Sequence, residues 1–283
     1  MQDILTCAMG LDIHRDVIVA CLAKGELGTD PEIEIRSFST LIPEMRKLRD
    51  WVLEAECRYV AMESTGIYWQ PIYEMLEPCF DGQISILVVN ARHMKNVPGR
   101  KTDMRDAQWI ATLLRAGLLK GSFIPDKTFR ELRHLTQYRK SIVRDITAQK
   151  NRIDKFLQSS GFRFTAFLSD AFGASGQNII RHLMEYGNIS REALDRCLKT
   201  QTRKRIDEIL IALNGSLSEH QRGFLRMIFG HLEALEQHRH TVEDAITKEI
   251  TKHEEALSLL CSIPGIDVTA AAAIIAEIGT DMS

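Results

Sequence analysis

The 283-residue sequence has no apolar run of the roughly 18 residues that a membrane span requires, because charge interrupts each long candidate. Its first residues, MQDILTCAMGLDIHRD, carry Asp3 early and have no basic stretch, which argues against a secretory signal and predicts a cytoplasmic protein. Six cysteines occur (Cys7, Cys21, Cys57, Cys79, Cys197 and Cys261), but never as C-x-x-C. Buried thiols are therefore expected rather than a disulfide framework. His238 and His240 have no H-E-x-x-H frame and no Cys partner, so zinc is not expected. A G-x-x-x-x-G-K-[ST] motif is missing too, which excludes a nucleotide-hydrolysing P-loop. With 17 Gly, 7 Pro and 45% hydrophobic residues, the composition excludes collagen-like, low-complexity and wholly disordered chains. No internal repeat is visible.

What is present is a charge asymmetry hidden by a net charge of −2. Between Arg92 and Lys155 there are 16 Lys and Arg against 6 Asp and Glu, a net of +10, and the remainder of the chain has 20 against 32. A basic middle between acidic flanks is the distribution expected where one surface meets phosphates. Solvated basic helices would give the same count.

The first third reads as α/β. The runs 7–14 and 17–23 are short and apolar, and 32–39 alternates with period two, so three consecutive antiparallel strands are predicted. A helix over 44–55, a strand over 58–63 and a helix over 68–76 follow, with Pro71 suited to that helix's first turn. A continuous apolar strand over 84–90 precedes a loop and a helix from about Asp103 to Ala116, closed by Gly117. The order β-β-β-α-β-α-β-α is that of a ribonuclease-H-like domain. Residues 128–158 then lack Gly and Pro. Leu132, Leu135, Tyr138, Ile142, Ile146, Ile153 and Phe156 form a stripe along a long helix. A second run over 217–255 carries Leu225, Ile228, Leu232, Leu235, Val242 and Ile246, with a gap at Arg239. These helices could pair as an antiparallel hairpin or could dimerise. Between them, GASGQN, YGN and LNGS punctuate short helices. The turn Ile263-Pro264-Gly265-Ile266 before a small-residue helix fits either a phosphate-binding helix-hairpin-helix element or a plain Pro-Gly turn.

Four carboxylates stand out. Asp12 lies in the first strand, Glu63 ends the fourth, and Asp103 and Asp106 sit three apart at the start of the third helix. In a sheet of this order the first and fourth strands are neighbours, so Asp12 and Glu63 can face one cleft. Two-metal phosphoryl transfer needs such acidic oxygens around hard cations, for which Mg²⁺ is suited and Mn²⁺ is an alternative. Each acid alone has an ordinary reading as a cap, a turn or a surface residue. Asp12, flanked by apolar residues, is the hardest to explain that way. Basic residues crowd the neighbouring loop, where His93, Lys95, Arg100, Lys101 and Arg105 can neutralise phosphate. Ser64 and Thr65 can bind phosphate through their hydroxyls. Tyr68 and Trp69 fit core packing slightly better than base stacking.

The segments GLDIHRD, AMESTGIYWQPIYEML, VVNARHMKNVPGRKTDMRDAQWIATLL and GSFIP…ELRHLTQYRK closely resemble the DEDD insertion-sequence transposases, relatives of the Piv DNA invertases that include bridge-RNA-guided recombinases. The resemblance runs over the whole chain, and SIPGI…AAAIIAEIGTDMS looks like the opening of the family's second domain. It implies a ribonuclease-H-like DEDD domain over 1–122, a helical coiled-coil region over 123–256, and the start of a C-terminal transposase domain over 257–283. It also implies Asp12, Glu63, Asp103 and Asp106 as metal ligands, DNA ends and target DNA as substrates, a guide RNA, and a homo-oligomer. The family's serine nucleophile would lie in a segment beyond Ser283, so a truncated chain is expected. Two alternatives stay open: a metal-dependent junction-resolving nuclease, and an inactive nucleic-acid-binding fragment.

Overall fold

A computed structural model describes residues 4–64, 66–90 and 106–281, and the chain divides into two compact units, Met1–Ile124 and Pro125–Ser283. The first unit contains a five-stranded sheet: β1 (Cys7–Ile13), β2 (Val17–Lys24), β3 (Glu32–Ser39), β4 (Tyr59–Glu63) and β5 (Ser85–Val89). Its spatial order is β3-β2-β1-β4-β5. The pairs β3–β2 and β2–β1 are antiparallel, whereas β1–β4 and β4–β5 are parallel. Helices α1 (Ile42–Glu54), α2 (Gln70–Leu76) and α3 (Asp106–Arg115) complete the unit. Pro71 stands in the first turn of α2, where its missing N–H has no helical partner to lose.

Strand alternation sorts the two faces of this sheet. Met9, Leu11 and Ile13 of β1 join Val60 and Met62 of β4 and Val88 of β5 in a core of large side chains. That core is closed by Leu48, Trp51 and Val52 of α1 and by Ile72 and Leu76 of α2. Each such buried aliphatic side chain contributes about 1.5–3 kcal/mol. The opposite face is built from small residues. Ala8 and Ala61 meet Ile110 and Leu114 of α3, and Cys21 and Ala23 meet Ala107 and Ala111. Gly10 is the tightest point of this face, since a Cβ there would overlap the Ala107 carbonyl oxygen and the Ala111 nitrogen. The helix backbone thus lies directly on β1. Gly117 (φ +66°) closes α3, with Gly117 N–H donating to Leu114 O at 2.9 Å and Leu118 N–H to Leu113 O at 3.0 Å. Arg115 is buried at that same end, donating to Leu5 O (2.9 Å), Gly25 O (3.2 Å) and Glu26 O (2.7 Å).

The second unit is helical. Its elements are α4 (Lys127–Ser159), α5 (Ala174–Tyr186), α6 (Arg191–Cys197), α7 (Thr200–Arg203), α8 (Ile206–Ala212), α9 (Glu219–Ile250), α10 (Glu254–Cys261) and α11 (Val268–Ile278). Of the two pairings open to the long helices, the chain forms the intramolecular antiparallel one. Phe156 packs on Phe224, Gln149 donates to Ile228 O at 2.6 Å, and Arg139 reaches Glu243, so numbers rise on α4 as they fall on α9. A capping box starts α9, in which Ser218 Oγ accepts from Gln221 N–H and Gln221 Oε1 accepts from Ser218 N–H. Most of the two apolar stripes is buried, with Leu135, Phe156 and Leu235 partly so, whereas Tyr138 is 48% exposed and stacks edge-on against His238. Gln149 fills the space between Ile146 and Ile153, and the gap at Arg239 is an ionic layer.

One sequence expectation is corrected here. The segment GASGQN lies in the first turns of α5 instead of interrupting a helix, because Gly176 lets the helix backbone rest on Ala171 O. Gly187 (φ +81°) does terminate that helix as read. All six cysteines are free, and Cys21, Cys57 and Cys79 are buried. Among the described residues no helix is long and apolar enough to cross a membrane.

Candidate metal centre

The register of β1 and β4 decides what stands beside Asp12. Leu11 pairs with Met62, so the next residues along these parallel strands are Asp12 and Glu63, on backbones about 4.8 Å apart. Both have the parity of the small-residue face: Asp12 follows Ala8 and Gly10, and Glu63 follows Ala61. They therefore emerge at the carboxyl ends of neighbouring parallel strands, on the side that α3 covers.

Helix α3 runs antiparallel to β1. Its residues Ile110 and Leu114 pack on Ala8, whereas Ala107 lies over Gly10, so Asp106 belongs to the Asp12 end of the face. Asp106 is exposed, while Asp12 keeps 16% of its side chain accessible and Glu63 is half-buried. Two anionic groups side by side repel, and a hard cation accepting oxygen from both would offset that repulsion. An all-oxygen donor set fits Mg²⁺ or Mn²⁺ and does not fit a soft metal. Among the described residues no group of three or more His, Cys, Asp and Glu is gathered closely enough to hold a metal. Asp103, the fourth carboxylate of the sequence reading, lies outside the described residues, as do Thr65, His93, Lys95, Arg100, Lys101 and Arg105.

The loops at this end add two groups. Ser64 continues β4, its N–H donating to Val89 O at 2.9 Å, which fixes the chain direction just past Glu63. His14 follows β1, with Nε2 standing 3.2 Å from Asp12 Oδ2. Sequence reading gave His14 no role. The signal for it is the Asp-x-His spacing, which puts both side chains on one side of an extended strand. Trp69 packs against the core and meets Tyr73 edge-to-face at 5.7 Å, as the packing reading expected, but Tyr68 is exposed.

The transposase family model DEDD_Tnp_IS110 matches residues 9–161, more than half of the chain. The chain belongs to this family of DEDD transposases. The matched span of the transposase opens inside β1, takes in the whole candidate centre, and ends just beyond α4. No curated protein matches the chain. Family membership makes DNA the class of molecule on which such chains act, and Asp12, Glu63 and Asp106 all fall inside the matched span of this transposase.

Proposed function

We propose that the chain is the DNA transposase, or site-specific recombinase, of an insertion sequence, and that it performs phosphoryl transfer at an Mg²⁺-dependent centre formed by Asp12, Glu63, Asp103 and Asp106. The observation that carries this reading is the emergence of Asp12 and Glu63 side by side at the carboxyl ends of β1 and β4, under the helix that bears Asp106. The strand order and the mixed parallel and antiparallel pairing support a ribonuclease-H-like domain over 1–122 as the scaffold. Ligands in open α/β sheets bind at such strand ends.

When bound, the metal ions supply Lewis-acid stabilisation of charge developing on a scissile phosphate. The residues of the chain do the rest. Asp12 and Glu63 hold acceptor oxygens on rigid strands, so their separation is set by the sheet and not by loop motion. His14 restrains the Asp12 carboxylate from the solvent side. Ser64, Thr65, His93, Lys95, Arg100, Lys101 and Arg105 are the proposed contacts to the nucleic-acid backbone, and a guide RNA is the proposed second nucleic acid. The long helices are the proposed oligomer contact.

Titration of Mg²⁺ or Mn²⁺ into the purified chain tests the centre directly. Asp12→Asn and Glu63→Gln are each expected to weaken binding by at least about tenfold. Neither is expected to lower the melting temperature in metal-free buffer, because removing one of two adjacent anions relieves repulsion. Unchanged metal affinity in both variants would overturn the assignment. DNA cleaved to free ends with no protein–DNA adduct would move the chemistry to a junction-resolving nuclease.

A further inference from the structure

The charge asymmetry of the sequence has a structural counterpart along α4. This helix carries nine Lys and Arg against three Asp and Glu. Its inward cations are consumed within the unit. Arg133 pairs with Glu277, Arg139 with Glu243 at 2.7 Å, and Lys150 with Glu236 at 3.2 Å, while buried Arg130 donates to Pro125 O at 2.8 Å. The outward cations are not. Lys140, Arg144 and Lys155 are exposed and, among the described residues, none is in an ion pair.

These three cations form a row. With 3.6 residues per turn, Lys140, Arg144, Thr147, Asn151 and Lys155 fall within about 80° of arc, and the row runs about 22 Å along the helix. All five are exposed. The exposed carboxylate of Asp145 lies about 120° from the centre of the row, and the nearer Asp154, about 60° from it, is half-buried and accepts from Gln158 Nε2. A straight, rigid row of cations with uncharged polar spacers is complementary to a regular polyanion. It is self-repelling against a second copy of itself. The phosphates of each strand of duplex DNA recur every ~3.4 Å of rise along the duplex axis, and its major groove is about as wide as a helix. A single strand would have to be bent into register with the row.

We propose that the Lys140–Arg144–Lys155 face of α4 docks on the phosphate backbone of duplex DNA. This rests on the transposase reading but uses none of the candidate metal ligands. The surface supplies affinity and not sequence choice, since its groups match phosphate and carry no base-specific pattern.

The test is binding of the full chain to a fluorescent duplex of about 30 base pairs across a salt series. The variant is Lys140→Gln/Arg144→Gln/Lys155→Gln, which keeps helix propensity. Its slope of log affinity against log salt is expected to fall by about 2 to 3, with affinity at least about tenfold weaker. A control variant, Arg196→Gln/Lys199→Gln/Lys204→Gln, makes the same charge change at other exposed cations and is expected to leave the slope unchanged. Lys140→Arg/Lys155→Arg is expected to bind as the parent does, which separates charge from folding damage. The proposal is overturned by equal loss in the control, by an unchanged slope in the first variant, or by a loss confined to structured RNA. If the parent chain binds no duplex, this surface fails while the metal titration still decides the centre.

Discussion

The two units of the chain handle charge in opposite ways. In the α/β unit, the carboxylates of Asp12 and Glu63 are brought together at one end of the sheet's small-residue face. Strand order brings Asp12 and Glu63 together from sequence positions 51 residues apart. In the helical unit, charges are spread along two long helices, some neutralised between them, as in the layer where Glu243 meets both Arg139 and Arg239, and some left facing outward, as at Lys140, Arg144 and Lys155. A sheet concentrates chemistry at a point because neighbouring strands end together. A helix pair distributes it along a line because each turn presents a new residue every 1.5 Å of rise. That contrast assigns candidate catalysis to the first unit and candidate docking to the second.

The comparison breaks most severely at Gly10. Its missing side chain lets α3 lie on β1, with Ile110 Cβ only 3.0 Å from where a Cβ would stand. The other nearest atoms are backbone, which cannot swing away. Gly10→Val is expected to cost about 3 kcal/mol or more and to displace the helix bearing Asp106. Urea unfolding followed by circular dichroism, with the fluorescence of Trp51, Trp69 and Trp109 reporting the α/β unit, checks this. Loss of less than about 1 kcal/mol would show that α3 is not seated as described. The helical unit has a comparable point of its own at Gly176, where a Cβ would overlap Ala171 O, whereas Gly223 and Gly230 in α9 have open space beside them.

A smaller effect sharpens the second half of the comparison. Glu243 accepts from Arg139 Nη2 at 2.7 Å and from Arg239 Nη1 at 3.2 Å, with a quarter of its side chain exposed. Glu243→Gln removes the shared anion and leaves two guanidinium groups facing each other. The expected loss is about 1 kcal/mol, shrinking as salt rises, because partly exposed pairs are screened. A double-mutant cycle with Arg139→Gln measures the coupling. A coupling of zero at low salt would mean that apolar packing alone sets the hairpin.

These features were unequally visible in the sequence. The five strands follow from short apolar runs and period-two alternation, and the long helices from stretches without Gly or Pro, because those patterns are local. Gly117 was readable as a terminator for the same reason. Partner choice is not local. Whether α4 pairs with α9 or with another copy depends on Gln149 reaching Ile228 O and on ion pairs more than 80 residues apart in sequence. Nothing in the local sequence marks Arg115, which is buried because the carbonyls of Leu5, Gly25 and Glu26 converge on it. Gly176 looked like punctuation, since nothing nearby in sequence announces the close approach of Ala171 O. At the candidate centre, Asp12 and Glu63 were singled out by type and by position at strand ends. His14 was not, because its contact with Asp12 is a matter of geometry.

The smallest effect concerns the opposite end of the α/β sheet and asks whether that end is chemically silent. Cys7, which opens β1, is half-buried beside Cys57. A hydrogen bond from the Cys57 thiol lowers the Cys7 pKa to about 7. Partial burial opposes this, and the Lys24 ammonium assists it. The partner thiol is pushed up by the same contact and by its burial, and Cys21 is pushed up to about 11 by burial alone. The sign follows directly. Cys7 becomes a thiolate on passing upward through about pH 7 instead of about 9, so alkylation by iodoacetamide is expected to rise with a midpoint near 7. Cys21 and Cys57 are expected to stay unreactive across that range. Peptide-resolved mass spectrometry separates the sites. Cys57→Ala is expected to move the Cys7 midpoint upward, and Lys24→Met to move it upward by less, since the hydrogen bond is the larger cause. A parental midpoint near 9, or one indifferent to Cys57→Ala, would leave the carboxylate end as the α/β unit's one chemically distinctive pole among the described residues.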